Sequence, residues 1–493
     1  MLRGVPNPDS RRLKGRVLLA FLLAAAVLMA ACQGGGNRST SDPGSYPTTV
    51  NAPVEQDLSS CPTPPAFTAG PAGAADWPTY HRANDRHGVA TGSPSARGLN
   101  PQWAVRLDGP VFTQPLIVQH LTVVATQSDT VYAFDTESGC LAWKASLGQP
   151  VDATKQPCPG PVTSYIGSQL GVLSTPVADA ATGTLYVVPY LSPPSFEMVA
   201  LDLATGTVRW RRPLDLPQAD LPNQLSRPAL TLANGRVYAG FGGRAGSCGK
   251  WHGYLVGVRA DGQGTPDLYQ SPGFGGSFWF PGGLVVLPSG ELLATSSEGS
   301  STKAPDDGDT VLRLSPDLKK QDGFTPSNWA DLNRADNDLG SVGPTLLAGN
   351  RVFQVGKEGV GYLLDAGRLG GVGGQLFSKK LDGGCYAIGT TAYQDPYVYV
   401  PCDHGLKAVQ VKGKSFDVAW TAPDFRAGSP MVAGGVVWSV DFEKGYLWSL
   451  DPRSGQVKQK AAIGTARHFV SPSFGAGRLF VPVGQRLVSF SFK

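Results

Sequence analysis

Three stretches of the chain, "AFDTESGCLAW" at 133–143, "ALDLATGTVRW" at 200–210 and "SLDPRSGQVKQ" at 449–459, place Ala or Ser, Asp and Gly at identical offsets, with Trp closing the first two. Self-similarity of this kind means one supersecondary unit repeated along the chain, each copy needing neighbours to bury its apolar faces. Upstream of such units a short β-rich run opens on a small motif, usually with proline: Pro115, Pro176, Pro228, Pro281, Pro344, Pro430 and Pro472, with Thr391 substituting once. Proline has no amide donor, so it suits the first residue of a strand and not the middle of a sheet. The eight starts are spaced by about 40 to 60 residues, enough for four strands and, in places, an insertion.

Helical periodicity is scarce, and short β-rich runs alternate with Gly and Asp turns, so the class is all-β. The expected architecture is an eight-bladed β-propeller of four-stranded antiparallel blades. The last unit, "SPSFGAGRLFVPVGQRLVSFSFK", is one strand short, while "PQWAVRLDG" at 101–109 is a strand without a blade. The N-terminal strand is therefore expected to complete the final blade and remove two open sheet edges. Trp143, Trp210 and Trp420 are expected to pack between blades, and the orphan strand carries a Trp of its own, Trp103.

Residues 1–32 read as an export signal: Arg3, Arg11, Arg12, Lys14 and Arg16 precede an apolar run from Val17 to Met29 that is short for a bilayer. "LMAAC", ending at Cys32, resembles the lipobox of bacterial lipoproteins, which implies lipidation of Cys32 and anchoring to a membrane of the bacterial cell envelope. Residues 33–76, rich in Gly, Ser, Thr and Pro, are expected to be a flexible tether, and residues 77–493 the propeller. Only 16% of residues are charged and the net charge of +4 is spread out, with no basic block, which argues against a nucleic-acid partner. Besides Cys32 there are Cys61, Cys140, Cys158, Cys248, Cys385 and Cys402, an even number that suits disulfides in an exported protein. By loop length, Cys140 with Cys158 and Cys385 with Cys402 are the expected pairs. The six histidines show no metal-ligand spacing. "HRANDRHG" at 81–88 reads as an ordered lead-in to the propeller, and "GRAGSCGKWHGYL" at 243–255 as an insertion lining one face.

The repeated Ala–Asp–Gly–Trp units resemble the tryptophan-docking repeats of the pyrroloquinoline quinone (PQQ) propellers, over roughly residues 77–493. That superfamily holds quinoprotein dehydrogenases and cofactor-free members such as the lipoprotein propeller of the outer-membrane protein assembly machinery. Within it, "DNDLGSVGPTLLAGNRVFQVGKEGVGYLLD" is similar to the polyvinyl alcohol dehydrogenase branch. The resemblance implies Asp336 or Asp338 as general base and Lys357 at the orthoquinone edge of PQQ. Glu298 stands nearest the position of a calcium ligand, in "ATSSEGS" where that family commonly has T-G-N. The vicinal Cys-Cys pair and any haem motif are absent. Asp336 and Asp338 also suit a simple turn at a blade entrance, and Lys357 a solvated one. Two functions follow: a binding or scaffold protein engaging an envelope protein or small ligand at the propeller face, or a quinoprotein alcohol dehydrogenase using PQQ and calcium.

Overall fold

The computed structural model describes residues 50–157, 167–244 and 251–493. Cys32, Cys158 and Cys248, and with them the expected export signal and lipid anchor, lie outside the described residues. Eight antiparallel sheets follow one another along the chain. Their first strands are Leu116–Val118, Val177–Asp179, Thr231–Ala233, Val285–Val286, Thr345–Leu347, Ala392–Gln394, Met431–Ala433 and Ser473–Gly475, which define blades 1 to 8. First strands touch between blades 1 and 2, 2 and 3, 5 and 6, 6 and 7, and 8 and 1, as inner strands of a ring do. Six start directly after the motif residue; Pro228 and Pro281 precede their strands by a few residues.

The N-terminal strand closes the ring. Leu99–Arg106 pairs antiparallel with Arg486–Phe492 as the outer strand of blade 8. Four-stranded blades are the rule, but blades 2, 3, 4 and 7 carry an extra short strand. In blade 7 that strand is Val50–Asn51, lying parallel to Ala461 and Ala462.

The repeats explain how blades attach to one another. In each unit Asp turns the chain: the Asp202 carboxylate accepts from Ala204 N and Thr205 N, and Asp451 accepts likewise from Arg453 N and Ser454 N. The turn ends on a glycine with positive φ, and the Trp of the preceding blade lies flat on it. A Cβ on Gly206 would stand 2.5 Å from Trp143, and one on Gly455 2.5 Å from Trp420. Trp143 Nε1 donates to Leu203 O at 2.8 Å, Trp420 Nε1 to Pro452 O at 3.0 Å, and Trp103 Nε1 to Thr136 O at 3.2 Å. Glycine is required at these positions twice over, by φ and by the indole.

Two expectations need correction. The tether assigned to 33–76 does not extend to 76: from Val50 the chain is bound to the propeller by the strand on blade 7, by Gly70 N donating to Ala180 O at 2.9 Å, and by a disulfide. Low hydrophobicity signals disorder only when no other surface supplies backbone partners and a covalent staple. That staple is Cys61–Cys140, 79 residues apart, so Cys140 does not pair with Cys158. Loop length favours near neighbours, whereas a folded ring brings distant cysteines together. Cys385–Cys402 forms as expected.

Residues 75–90 run across the inner strands and touch every blade. Trp77 N donates to Ile117 O, Ala178 N to Pro78 O, Val286 N to Asn84 O, Tyr393 N to His87 O, Val432 N to Gly88 O and Ala476 N to Ala75 O. His87 Nε2 lies 2.8 Å from Leu346 O, and Arg86 donates to Thr231 Oγ1 and Leu230 O. The polar lead-in read from the sequence is thus an axial plug. Its polar side chains satisfy the inner-strand carbonyls that a narrow axis would strip of water.

Candidate functional site

Antiparallel four-stranded blades place two kinds of loop at the same end: those joining second to third strands, and those joining an outer strand to the next inner one. Glu298 follows the second strand of blade 4, Leu292–Thr295; Asp336 and Asp338 lie between blades 4 and 5; Lys357 follows Arg351–Val355 in blade 5. All four therefore project at one end, and they meet.

A short helix, Trp329–Ala335, ends at Asp336, whose φ of 53° makes it a left-handed cap. Asn333 on that helix accepts from Gly299 N at 2.8 Å and donates to Ser301 O, docking the helix on the loop that carries Glu298. Glycine allows the close approach that follows. A Cβ on Gly340 would fall 2.4 Å from the Ser296 backbone, and one on Gly356 2.4 Å from Asp338 O. Lys357 N donates to Asp338 O at 3.0 Å, and Glu298 N to Asp338 Oδ1 at 3.2 Å.

At the centre, Lys357 Nζ donates to Asp336 Oδ1 at 2.8 Å and pairs with Asp338. Carboxylate oxygens of Glu298, Asp336 and Asp338 all lie within 4.8 Å of one another. The Asp338 side chain is 9% exposed and that of Asp336 74%, so Asp336 opens the cluster to solvent and Asp338 is its buried member. Burial, then the charge of Asp338, raises Glu298 well above the usual carboxylate range, and its Oε2 has no partner. Burial alone would lower Lys357, but Asp338 and Asp336 outweigh it and raise its pKa. Sequence reading missed a further member, Asp309, which accepts from Leu339 N at 2.8 Å and is raised by burial and by Asp338. Nothing in "DDGDT" distinguishes it from an ordinary turn.

The axis carries a different set of groups at the same end. Tyr80 of the plug forms the floor, and Phe112, Leu173, Thr175, Arg227, Pro281 and Phe469 surround it, leaving about 20 Å³. The Arg227 guanidinium lies over the Phe469 ring at 3.2 Å from its centroid, with Trp279 at 5.0 Å. From the 243–255 insertion, Trp251 donates to Ser277 Oγ at 2.9 Å.

The two groups implied by the resemblance meet these sites differently. Three oxygen donors suit calcium in kind, but the Lys357 ammonium already sits between Asp336 and Asp338. A flat tricyclic quinone needs a cavity of roughly 300 Å³ or more, against about 20 Å³ at the axis. The axial cavity as arranged does not accommodate it.

Residues 74–303 match the family model described as outer membrane protein assembly factor BamB. Among solved structures the fold is similar to quinohemoprotein alcohol dehydrogenase from Comamonas testosteroni, with TM-score 0.66 and 15% identity over 84% of this chain and 80% of that one. It is similar to a europium-containing methanol dehydrogenase, with TM-score 0.65 and 14% identity over 85% of this chain and 98% of that one. BamB from Moraxella catarrhalis gives TM-score 0.54 and 14% identity over 80% and 98%. No curated protein matches the sequence. The chain is an eight-bladed β-propeller, of which residues 74–303 match that family model. Structures at these identities establish the fold, which hosts both dehydrogenases and an assembly factor, and not the activity.

Proposed function

We propose that this protein is a binding propeller of the bacterial cell envelope, exported and held by a lipid on Cys32, with the loop end carrying Glu298, Asp338 and Lys357 as its working face. One observation carries the reading: the axis is filled by Tyr80, Arg227 and Phe469, leaving about 20 Å³ where a quinone would need a slot. The family match to an assembly factor supports a partner-binding role. Cys32→Ser should shift the protein from the membrane to the soluble fraction, because one residue carries the anchor.

A second reading, a quinone-dependent alcohol dehydrogenase of the polyvinyl alcohol dehydrogenase type, is favoured by the convergence of Asp336, Asp338, Glu298 and Lys357. A positioned carboxylate such as Asp338 is what removal of an alcohol proton requires. The experiment separating the two is incubation of the purified protein with PQQ and calcium, followed by desalting. On the binding reading no quinone absorbance is retained and no alcohol-dependent dye reduction occurs. Stoichiometric retention with turnover that collapses in Asp338→Asn would replace it with the dehydrogenase.

A further inference from the structure

Arg227 precedes the inner strand of blade 3, so its side chain reaches the axis. It is 8% exposed. No ion pair reaches it among the described residues, and its Nη2 is buried without a hydrogen-bond acceptor. Burial without a carboxylate lowers its pKa, to about 9, which leaves the guanidinium charged at neutral pH. Phe469 and Trp279 offer their π faces, which offset part of the cost of burying a cation but accept no hydrogen bond.

The contrast with Arg86, a short way along the same axis, is instructive. Arg86 is buried as deeply, yet it donates to Thr79 Oγ1, Tyr80 O, Thr231 Oγ1, Leu230 O and Leu284 O. Arg86 is thus saturated with acceptors. Arg227 instead faces a void lined also by Tyr80, whose buried hydroxyl is directed to those of Ser429, Thr390 and Ser471. An unpaired guanidinium beside a space of about 20 Å³ describes a socket for one small polar head, since about 10–15 Å³ admits a water-sized group. A second cation, Arg467, lies over Phe112 at 6.0 Å.

We infer that the loop end of the axis is an anion socket in which Arg227 receives the carboxylate of an organic acid, the apolar body of the ligand resting on Phe112 and Phe469 at the mouth. Arg227 supplies the charge-assisted fork that a planar carboxylate fits. The inference rests on the binding reading and names the ligand class for that face. It is independent of the acidic cluster, whose charge is the wrong sign for such a ligand.

The test is a titration of the purified protein with 4-fluorobenzoate, followed by ¹⁹F NMR. One equivalent should bind and acetate should displace it. Arg227→Met should weaken binding by roughly 10- to 100-fold, the loss expected of a hydrogen bond to a charged group, while melting no lower than the anion-free wild type, because it removes an unpaired buried charge. Arg227→Lys, which keeps the charge and loses the fork, should bind more weakly than the wild type. Arg211→Gln, on an outer strand and paired with Glu197, should leave binding unchanged. Absence of binding, equal binding by Arg227→Met or Arg227→Lys, or a response to chloride without one to carboxylates would each overturn the inference. PQQ-dependent turnover would instead overturn the binding reading, so the two failures are distinct.

Discussion

Replacing Lys357 by Met tests whether the acidic cluster is held together by its own cation. Lys357 Nζ contacts both Asp336 and Asp338, and its side chain is 12% exposed. Met keeps the length of the stem and removes only the ammonium. What remains is Asp338, buried beside Glu298 and Asp309, with the Glu298 N–H as a remaining donor. Breaking a buried pair by deleting one partner costs about 3–5 kcal/mol. Asp336 is exposed to solvent and adds little, because ion pairs open to water contribute about 0–1 kcal/mol. The retained hydrogen bond and the nearby opening shift the expectation to the lower end, about 3 kcal/mol at neutral pH. Urea unfolding of Lys357→Met against wild type measures it. Lys357→Met/Asp338→Asn, which removes the orphaned charge, should recover most of the loss. A deficit below about 0.5 kcal/mol, the usual range of surface changes, would refute the account, as would a deficit that Asp338→Asn fails to relieve.

Glu298 has a raised folded-state pKa, so its contribution to stability is fully present below the ordinary value of 4.5 and is lost as pH rises above it. Glu298→Gln should therefore gain on wild type in unfolding free energy as pH rises above about 5, by at most about 1.4 kcal/mol per pH unit; parallel profiles would contradict this. Gly206→Ala should cost about 2–4 kcal/mol, combining left-handed strain with displacement of Trp143, and chemical denaturation would show whether Trp143 docking matters so much. Cys61→Ser opens a loop of 79 residues that contains the axial plug and the closing strand. The chain-entropy estimate for it is about 4 kcal/mol, and amide exchange over residues 75–106 should accelerate in the variant; unchanged exchange would show that the staple does not hold the plug.

The ring itself was legible in the residues. Blade starts, docking tryptophans and the orphan strand Leu99–Arg106 are encoded locally, because strand alternation, turn glycines and donor-less prolines act over a few residues. Ring closure then follows from the count of strands, since an unpaired edge is costly wherever it lies. Asp336 and Asp338 were a different matter. Two positions apart in a turn, they have the same local chemistry, and only the packing of Gly340 and Gly356 buries one and exposes the other. Cys61 finding Cys140, Val50–Asn51 extending blade 7, and residues 75–90 touching all eight blades depend on contacts between segments far apart in sequence. The same holds for Arg227. Nothing in "LSRPAL" at 225–230 shows that its neighbours at the axis will be a phenol, two aromatic faces and no carboxylate, because which residues face a propeller's axis together is decided by the closure of the ring.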